Sequence, residues 1–347
     1  MQKGYEIIID YKLINPAKWN EFVLRHPQGT IFHSYEMFLA YKSLRYHDLI
    51  FICITSKSEI LALLIAQIQQ VRRGLTGYFS CRSIILSGPL IEDDNPDLLE
   101  ILLETYDRII PRKVIYTQVR NHYESSPYKD IYQKHGYKFE DHLNIIINLT
   151  LPEEKLWKNV HPKRKNEIRR AQKENLKFSA ESSPAILKES YNIISRVYQN
   201  AGLPLLPFSY FTGLMESLNN NHKFILYSVK YNGMIIGCMF ALAFKNTIYD
   251  FYSGALSSYY SKYPNDLLPW DVFLWAKENG YKIFDFGGAG KPEIPYGVRE
   301  YKKKFGGDIV NYGRFIKVHG LFRFAFGKLA LKIYKEIKHI TKYHGKE

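Results

Sequence analysis

Apolar and polar residues change rhythm several times along the chain. Short apolar runs between turn residues read as strands, and recurrence every three to four positions reads as helix. Glu6–Asp10 fits a strand, and Pro16–Arg25 and Phe32–Leu44 fit helices. Leu49–Thr55 and Ile60–Val71 read as strands of a meander that turns at Ser56–Ser58. Ser83–Leu86 is another strand, closed by Gly88-Pro89. Asn95 followed by Pro96 is a helix start signal, and Pro111 stops that helix. Next come a strand at Val114–Val119, a short helix at Tyr128–His135 ended by Gly136, and an apolar strand at Leu143–Leu149.

The second half repeats that ending. Phe224–Lys230, Met234–Phe244 and Thr247–Gly254 read as an antiparallel meander, with Asn232-Gly233 as a strong hairpin signal. Leu267–Asn279 is a helix that Gly280 closes, Lys282–Phe286 a strand, Gly297–Phe305 a short helix, and Ile309–Val318 a strand. Helix, strand, short helix, glycine, strand thus occurs once in each half, which suggests a structural duplication. The pattern predicts a mixed α/β (α+β) fold of two domains, 1–150 and 151–318. Each would be a mixed, largely antiparallel sheet flanked by helices. Residues 319–347 follow as a basic amphipathic helix. Phe322, Phe326, Leu329, Ile333, Ile337 and Ile340 share one face, and Lys328, Lys332, Lys335 and Lys342 the other. Such a helix can lie on an anionic membrane or dock onto the domains.

A chain of 347 residues suits two domains. The net charge of +14 points to an anionic partner: nucleic acid, a phosphorylated metabolite or an acidic membrane surface. A merely basic proteome is the alternative. Cys53, Cys81 and Cys238 are too widely spaced for a disulfide framework or a zinc site. They fit a reducing cytoplasm, and none sits near a His as a catalytic thiol would. The N-terminus lacks a signal-peptide core, and no run of about 18 apolar residues is present to span a membrane. The expected location is cytoplasmic, with the C-terminal helix able to make peripheral contact with the inner face of the plasma membrane.

Two basic helices carry candidate chemistry. From His161 to Lys173, six of thirteen residues are Lys or Arg. Arg164, Ile168, Ala171 and Asn175 fall within about 60° of one another on the helical wheel and form its inward stripe. An inward Arg requires an anion: either a bound phosphate or carboxylate, or a structural carboxylate. Further on, Asp285-Phe286-Gly287-Gly288-Ala289-Gly290 ends a strand in glycines that let a ligand approach the backbone. It is neither a dinucleotide fingerprint nor a P-loop. In the helix that follows, the inward stripe is Val298, Tyr301, Lys302 and Phe305. A half-buried Lys302 can stabilise a developing oxyanion, or it can simply reach water.

Together these segments resemble the FemABX family and its relatives in the GNAT superfamily. The resemblance rests on Ile31-Phe32-His33-Ser34-Tyr35-Glu36-Met37, on the Arg-rich helix Arg164…Ile168-Arg169-Arg170-Ala171…Lys173, and on Tyr252-Ser253-Gly254-Ala255…Tyr263-Pro264…Leu267-Leu268-Pro269-Trp270. It also rests on Asp285-Phe286-Gly287-Gly288 and Tyr301-Lys302-x-x-Phe305-Gly306, and covers roughly residues 30–315. It implies two tandem GNAT-like domains with the active site in the second, and transfer of an acyl or aminoacyl group to an amine. The implied donor is an aminoacyl-tRNA or an acyl-CoA, with no tightly bound cofactor and no metal. The implied acceptor is a nucleotide- or lipid-linked cell-envelope precursor, such as a peptidoglycan muropeptide or an amino sugar of surface polysaccharide.

By motif position Lys302 stabilises the transition state, assisted by backbone N–H groups near Gly287 and Gly288. Arg164 or Arg169 holds acceptor phosphate. Asp250 and Asp285 are the carboxylates available as general base, Tyr252 can line the cleft or pack in the core, and Tyr301 adjoins Lys302. The GNAT pyrophosphate signature Q/R-x-x-G-x-G/A is absent. The rival class is a non-catalytic RNA- or membrane-binding protein built on the basic helices, although it would lack the usual RNA-binding signatures.

Overall fold

The computed structural model describes residues 4–44, 47–70, 80–218 and 223–327. The chain divides into two compact units, one of Met1–Glu140 with Gly313–Glu347 and one of Asp141–Tyr312. Its strands in chain order are β1 (Glu6–Ile8), β2 (His47–Ser56), β3 (Glu59–Gln69), β4 (Arg82–Leu86), β5 (Leu90–Ile91), β6 (Tyr116–Arg120), β7 (Lys138–Glu140) and β8 (Leu143–Asn148). They continue with β9 (Lys177–Ala180), β10 (Phe224–Tyr231), β11 (Met234–Phe244), β12 (Thr247–Ala255), β13 (Ile283–Gly288), β14 (Asp308–Asn311) and β15 (Arg314–Val318). The helices are α1 (Pro16–Arg25), α2 (Tyr35–Lys42), α3 (Pro96–Ile109), α4 (Lys129–Lys134), α5 (Glu153–Asn159), α6 (Pro162–Lys173), α7 (Pro184–Ala201), α8 (Phe208–Leu218), α9 (Pro264–Glu278) and α10 (Gly297–Lys303).

The first sheet has the order β1-β2-β3-β4-β6-β15-β7, with β5 on β3; the second is β14-β8-β13-β12-β11-β10-β9. The expected duplication is present. In each unit a meander feeds a helix, and the next strand lies parallel to the last strand of the meander. These pairs are β4 with β6 and β12 with β13, joined through α3 and α9. A parallel pair requires such a crossover. The caps also match. The Asn95 side chain accepts from Asp97 N at the start of α3, and His161 caps α6 with Pro162 at its first position.

Two strands lie elsewhere than expected. Leu143–Leu149 was assigned to the first domain, yet β8 pairs with β13 and β14 in the second sheet. The single strand expected at Ile309–Val318 is broken. Its first part stays in the second sheet as β14, and its second part, β15, enters the first sheet between β6 and β7. Gly313 makes the break with φ +65, and a Cβ there would lie 2.1 Å from the Phe139 ring. Only glycine fits that turn. The first unit therefore closes with a strand from the far end of the sequence.

In the second unit Phe273 of α9, Phe284 and Phe286 of β13, and Phe305 after α10 pack with centroids 4.8–5.9 Å apart. This cluster fixes α10 against the end of β13. Helices α7 and α8 lay outside the elements expected from the pattern. Of the expected C-terminal helix, residues 321–327 are helical, and Phe322 and Phe326 are exposed. Its remainder, with Leu329, Ile333, Ile337, Ile340 and the lysines from Lys328 onward, lies outside the described residues. Among the described residues no helix is long and apolar enough to cross a membrane.

Candidate active site

The parallel pair β12/β13 supplies the site. Its pairing ends at Tyr249↔Asp285, although both strands run on, to Ala255 and Gly288. Each strand is bulged at this point. On β12 the register with β11 shifts so that Phe251 is the extra residue, and on β13 the register with β8 shifts between Asp285 and Gly288. Bulges bend a strand and re-aim its side chains. The β13 bulge contains Gly287 at φ +71, and the Gly287 N–H donates to Asp285 Oδ1 at 2.6 Å. The two strands therefore part with Asp250 and Asp285 at the point of divergence.

Lys302 enters there from α10. Its Nζ donates to Phe286 O at 2.5 Å and to Gly288 O at 3.0 Å. Asp285 is buried, and Asp250 and Lys302 are half-buried. No direct ion pair links them; the ammonium sits within the field of both carboxylates. Burial raises Asp250 to about 6, opposed by Lys302 and by a hydrogen bond from Ser253. Burial also raises Asp285 to about 6, opposed by the Gly287 N–H, by Lys302 and by Asn144, and reinforced by Asp250. Burial lowers Lys302, and both carboxylates oppose that shift. Groups whose pKa values are displaced toward neutrality by burial and a specific charge partner are suited to proton transfer.

The signs fix a pH profile. A base at Asp250 or Asp285 is charged only above about 6. A cationic Lys302 is lost at a pH below the ordinary 10.5. Turnover is expected to rise through about pH 6 and to fall on the alkaline side before 10.5, as a steady-state kcat profile would show. A rate flat between pH 5 and 7 would exclude both carboxylates as the base.

Arg164 faces inward on α6 with Ile168 and Ala171, as the wheel predicts. Its partner is a structural carboxylate. Nη1 pairs with Asp266 in the first turn of α9 and reaches Glu167 Oε2 at 3.2 Å. The guanidinium also lies over the rings of Tyr301 and Phe305, at 4.7 and 4.9 Å. Of the two partners the sequence left open for Arg164, a bound anion or a structural carboxylate, the fold supplies the carboxylate. Arg169 is exposed and stands over Trp157 at 5.5 Å. Tyr252 is half-buried and packs against Tyr198, Phe211 and Phe251. Gly287 and Gly288 adjoin Lys302, but the Gly287 N–H is committed to Asp285 and the Gly288 carbonyl accepts from Lys302. Val298, expected to face inward, is 42% exposed.

Tyr301 divides two environments. Its hydroxyl donates to Asn265 O, and it feels both Arg164 and Asp250. On its Arg164 side is a groove of about 330 Å³, whose lining includes Lys163, Tyr260, Tyr263, Asn265 and Lys304. Lys163 and Lys304 make no ion pair among the described residues.

Three contributors were not anticipated. Asn144 is buried on β8 and hydrogen-bonds Asp285. Its one sequence signal is a polar residue inside an apolar strand, and that strand was assigned to the other domain. Tyr198, on the unanticipated α7, is raised by burial and by Asp250 beside it. Arg299 donates to the carbonyls of Ala289, Lys291, Pro292 and Ile294 and so folds the loop that leads into α10. The cysteines are buried, and burial pushes Cys53 and Cys238 up to about 12, far from a reactive thiolate.

Residues 162–303 match the family model of the acetyltransferase (GNAT) domain. No curated protein matches the chain. Among solved structures, FemX superposes with a TM-score of 0.70 at 15% identity, covering 90% of this chain and 97% of that one. L-PGS from Bacillus licheniformis gives 0.59 at 16% identity, covering 91% and 96%. A tandem GNAT protein from the clavulanic acid biosynthesis pathway gives 0.56 at 8% identity, covering 91% and 99%. At such identities the likeness is one of fold. Residues 162–303, within the second unit, thus carry the match to the acetyltransferase (GNAT) domain, and the fold over most of the chain is that of FemX and of tandem GNAT proteins.

Proposed function

We propose that the second unit transfers an acyl or aminoacyl group to an amine on a phosphorylated cell-envelope precursor, a muropeptide or an amino sugar. The observation that carries this reading is Lys302, anchored on two carbonyls where β12 and β13 part and flanked by Asp250 and Asp285. The acceptor amine attacks the carbonyl carbon of an ester or thioester donor. A carboxylate at Asp250 or Asp285 takes the amine proton. The Lys302 ammonium swings from its carbonyl partners toward the tetrahedral oxyanion, which collapses to the amide as the carboxylic acid returns its proton to the departing alcohol or thiol. A single such donor is worth roughly 3–4 kcal/mol in a site of this kind.

The groove beside Tyr301 supports a donor with a phosphate-bearing end, such as an aminoacyl-tRNA or an acyl-CoA. Lys163 and Lys304 offer charge there, and Tyr260 and Tyr263 offer ring surfaces. The purified chain is to be incubated with a panel of amine acceptors and either labelled acyl-CoA or charged tRNA. Amide product from one donor is expected. Absence of product from both, together with steeply salt-dependent RNA binding, would favour the non-catalytic alternative.

A further inference from the structure

One face of the first sheet gathers positive charge with little to neutralise it. Arg314 on β15 lies directly opposite Arg120 on β6, and on the parallel side of β6 Arg82 pairs with Tyr116 and Leu86 with Arg120. Side chains alternate along a strand. Thr117 and Val119 are buried, so Tyr116, Gln118 and Arg120 occupy the opposite face, together with Arg82 and Arg314. Arg120 Nε donates to Gln118 Oε1 at 2.8 Å, and Arg314 Nη1 reaches that same oxygen at 3.5 Å. Arg82 Nε donates to Gln69 Oε1 at 3.1 Å. All three arginines are half-buried, and none makes an ion pair among the described residues. The carboxylate that acts on Arg314 is Glu140, opposite it on β7.

Like charges directly opposed on neighbouring strands destabilise a sheet. Burial lowers Arg120 to about 10 with Arg82 adding to the effect, and lowers Arg314 to about 9 with Arg120 adding to it. His122, beside them, is lowered to about 4 by burial and then by Arg314 and Arg120, and so adds no charge near neutral pH. Among the described residues, three guanidiniums against one carboxylate, 3 − 1, leave a local excess of +2. Planar, half-desolvated guanidiniums gathered on one face and held by neutral glutamines match the geometry and charge of a phosphate group.

We propose that this face of the first sheet is an oxyanion site that holds a phosphate or diphosphate group between Arg82, Arg120 and Arg314. Gln118 and Gln69 orient the guanidiniums, and the anion removes the repulsion they exert on one another. The site stands apart from the acyl-transfer reading and persists if that reading fails.

The test is the thermal stability of the full chain in inorganic pyrophosphate against sodium chloride of matched ionic strength, for wild type, Arg314→Gln and Arg82→Gln. A saturable rise in Tm specific to pyrophosphate is expected for wild type, with binding weakened about tenfold or more in each variant. Without ligand, the variants are expected to melt no lower than wild type, because like charges have been separated. Should one variant fail to fold, the other decides. In a second arm, vesicles of phosphatidylglycerol and of phosphatidylcholine are floated with the same proteins. Binding to the anionic vesicles alone, lost in the variants, identifies a lipid headgroup as the source of the phosphate. Binding of pyrophosphate without vesicle binding identifies a soluble compound. A wild-type response to pyrophosphate no greater than to chloride, or one retained in both variants, overturns the proposal.

Discussion

Replacing Lys302 by methionine is expected to lower turnover by on the order of 100-fold and to leave the fold intact. Methionine keeps a flexible apolar stem of similar reach against β13 and removes the ammonium. The two carbonyls that lose their donor, Phe286 O and Gly288 O, lie at the end of β13, where Gly288 is exposed and water can replace Nζ. The loss therefore falls on the charged transition state and not on packing. Steady-state kinetics beside a thermal melt checks this. A rate within twofold of wild type would remove Lys302 from the chemistry.

Arg164→Ala is expected to act on stability. The Arg164–Asp266 pair is buried on both sides, with side chains 8% and 9% exposed. Removing one partner of such a pair leaves an uncompensated buried charge, at a cost of about 3–5 kcal/mol. The cation over Tyr301 and Phe305 is lost as well, loosening the floor beneath α10. Urea denaturation should show the loss, and Arg164→Met combined with Asp266→Leu should recover most of it, because an apolar pair of similar volume replaces the charges. An unchanged midpoint with a raised KM for a phosphorylated acceptor would instead restore Arg164 as a ligand contact.

The contrast between these two cations shows how far the sequence reaches. Helical periodicity placed both Arg164 and Lys302 on inward faces, because a 3.6-residue repeat is a local property. It could not say what each would meet, since Asp266 lies about a hundred residues from Arg164 in the chain. The same limit explains the strands. The apolar run at Leu143–Leu149 announces a strand, but which sheet receives it depends on the edge offered by β13 and β14. Asn144 was missed as a partner of Asp285 for that reason alone. The break at Gly313 was invisible because glycine in an apolar run reads as a weak strand residue, and only the Phe139 ring beside it shows why no other residue fits. The Gly-rich stretch after Asp285 was legible as a place of close approach. Its Gly287 N–H serves Asp285, and the carbonyls of Phe286 and Gly288 serve Lys302.

Lys302 acts on the reaction and not on the hold of the donor in the proposed chemistry. The most direct measurement is donor affinity and single-turnover transfer rate in the same experiment, for wild type and Lys302→Met. The expected result is a donor Kd that stays within a few-fold while the single-turnover rate falls by on the order of 100-fold. A Kd that rises in step with the loss of rate, with chemistry unchanged at saturating donor, would contradict it and make Lys302 a binding residue.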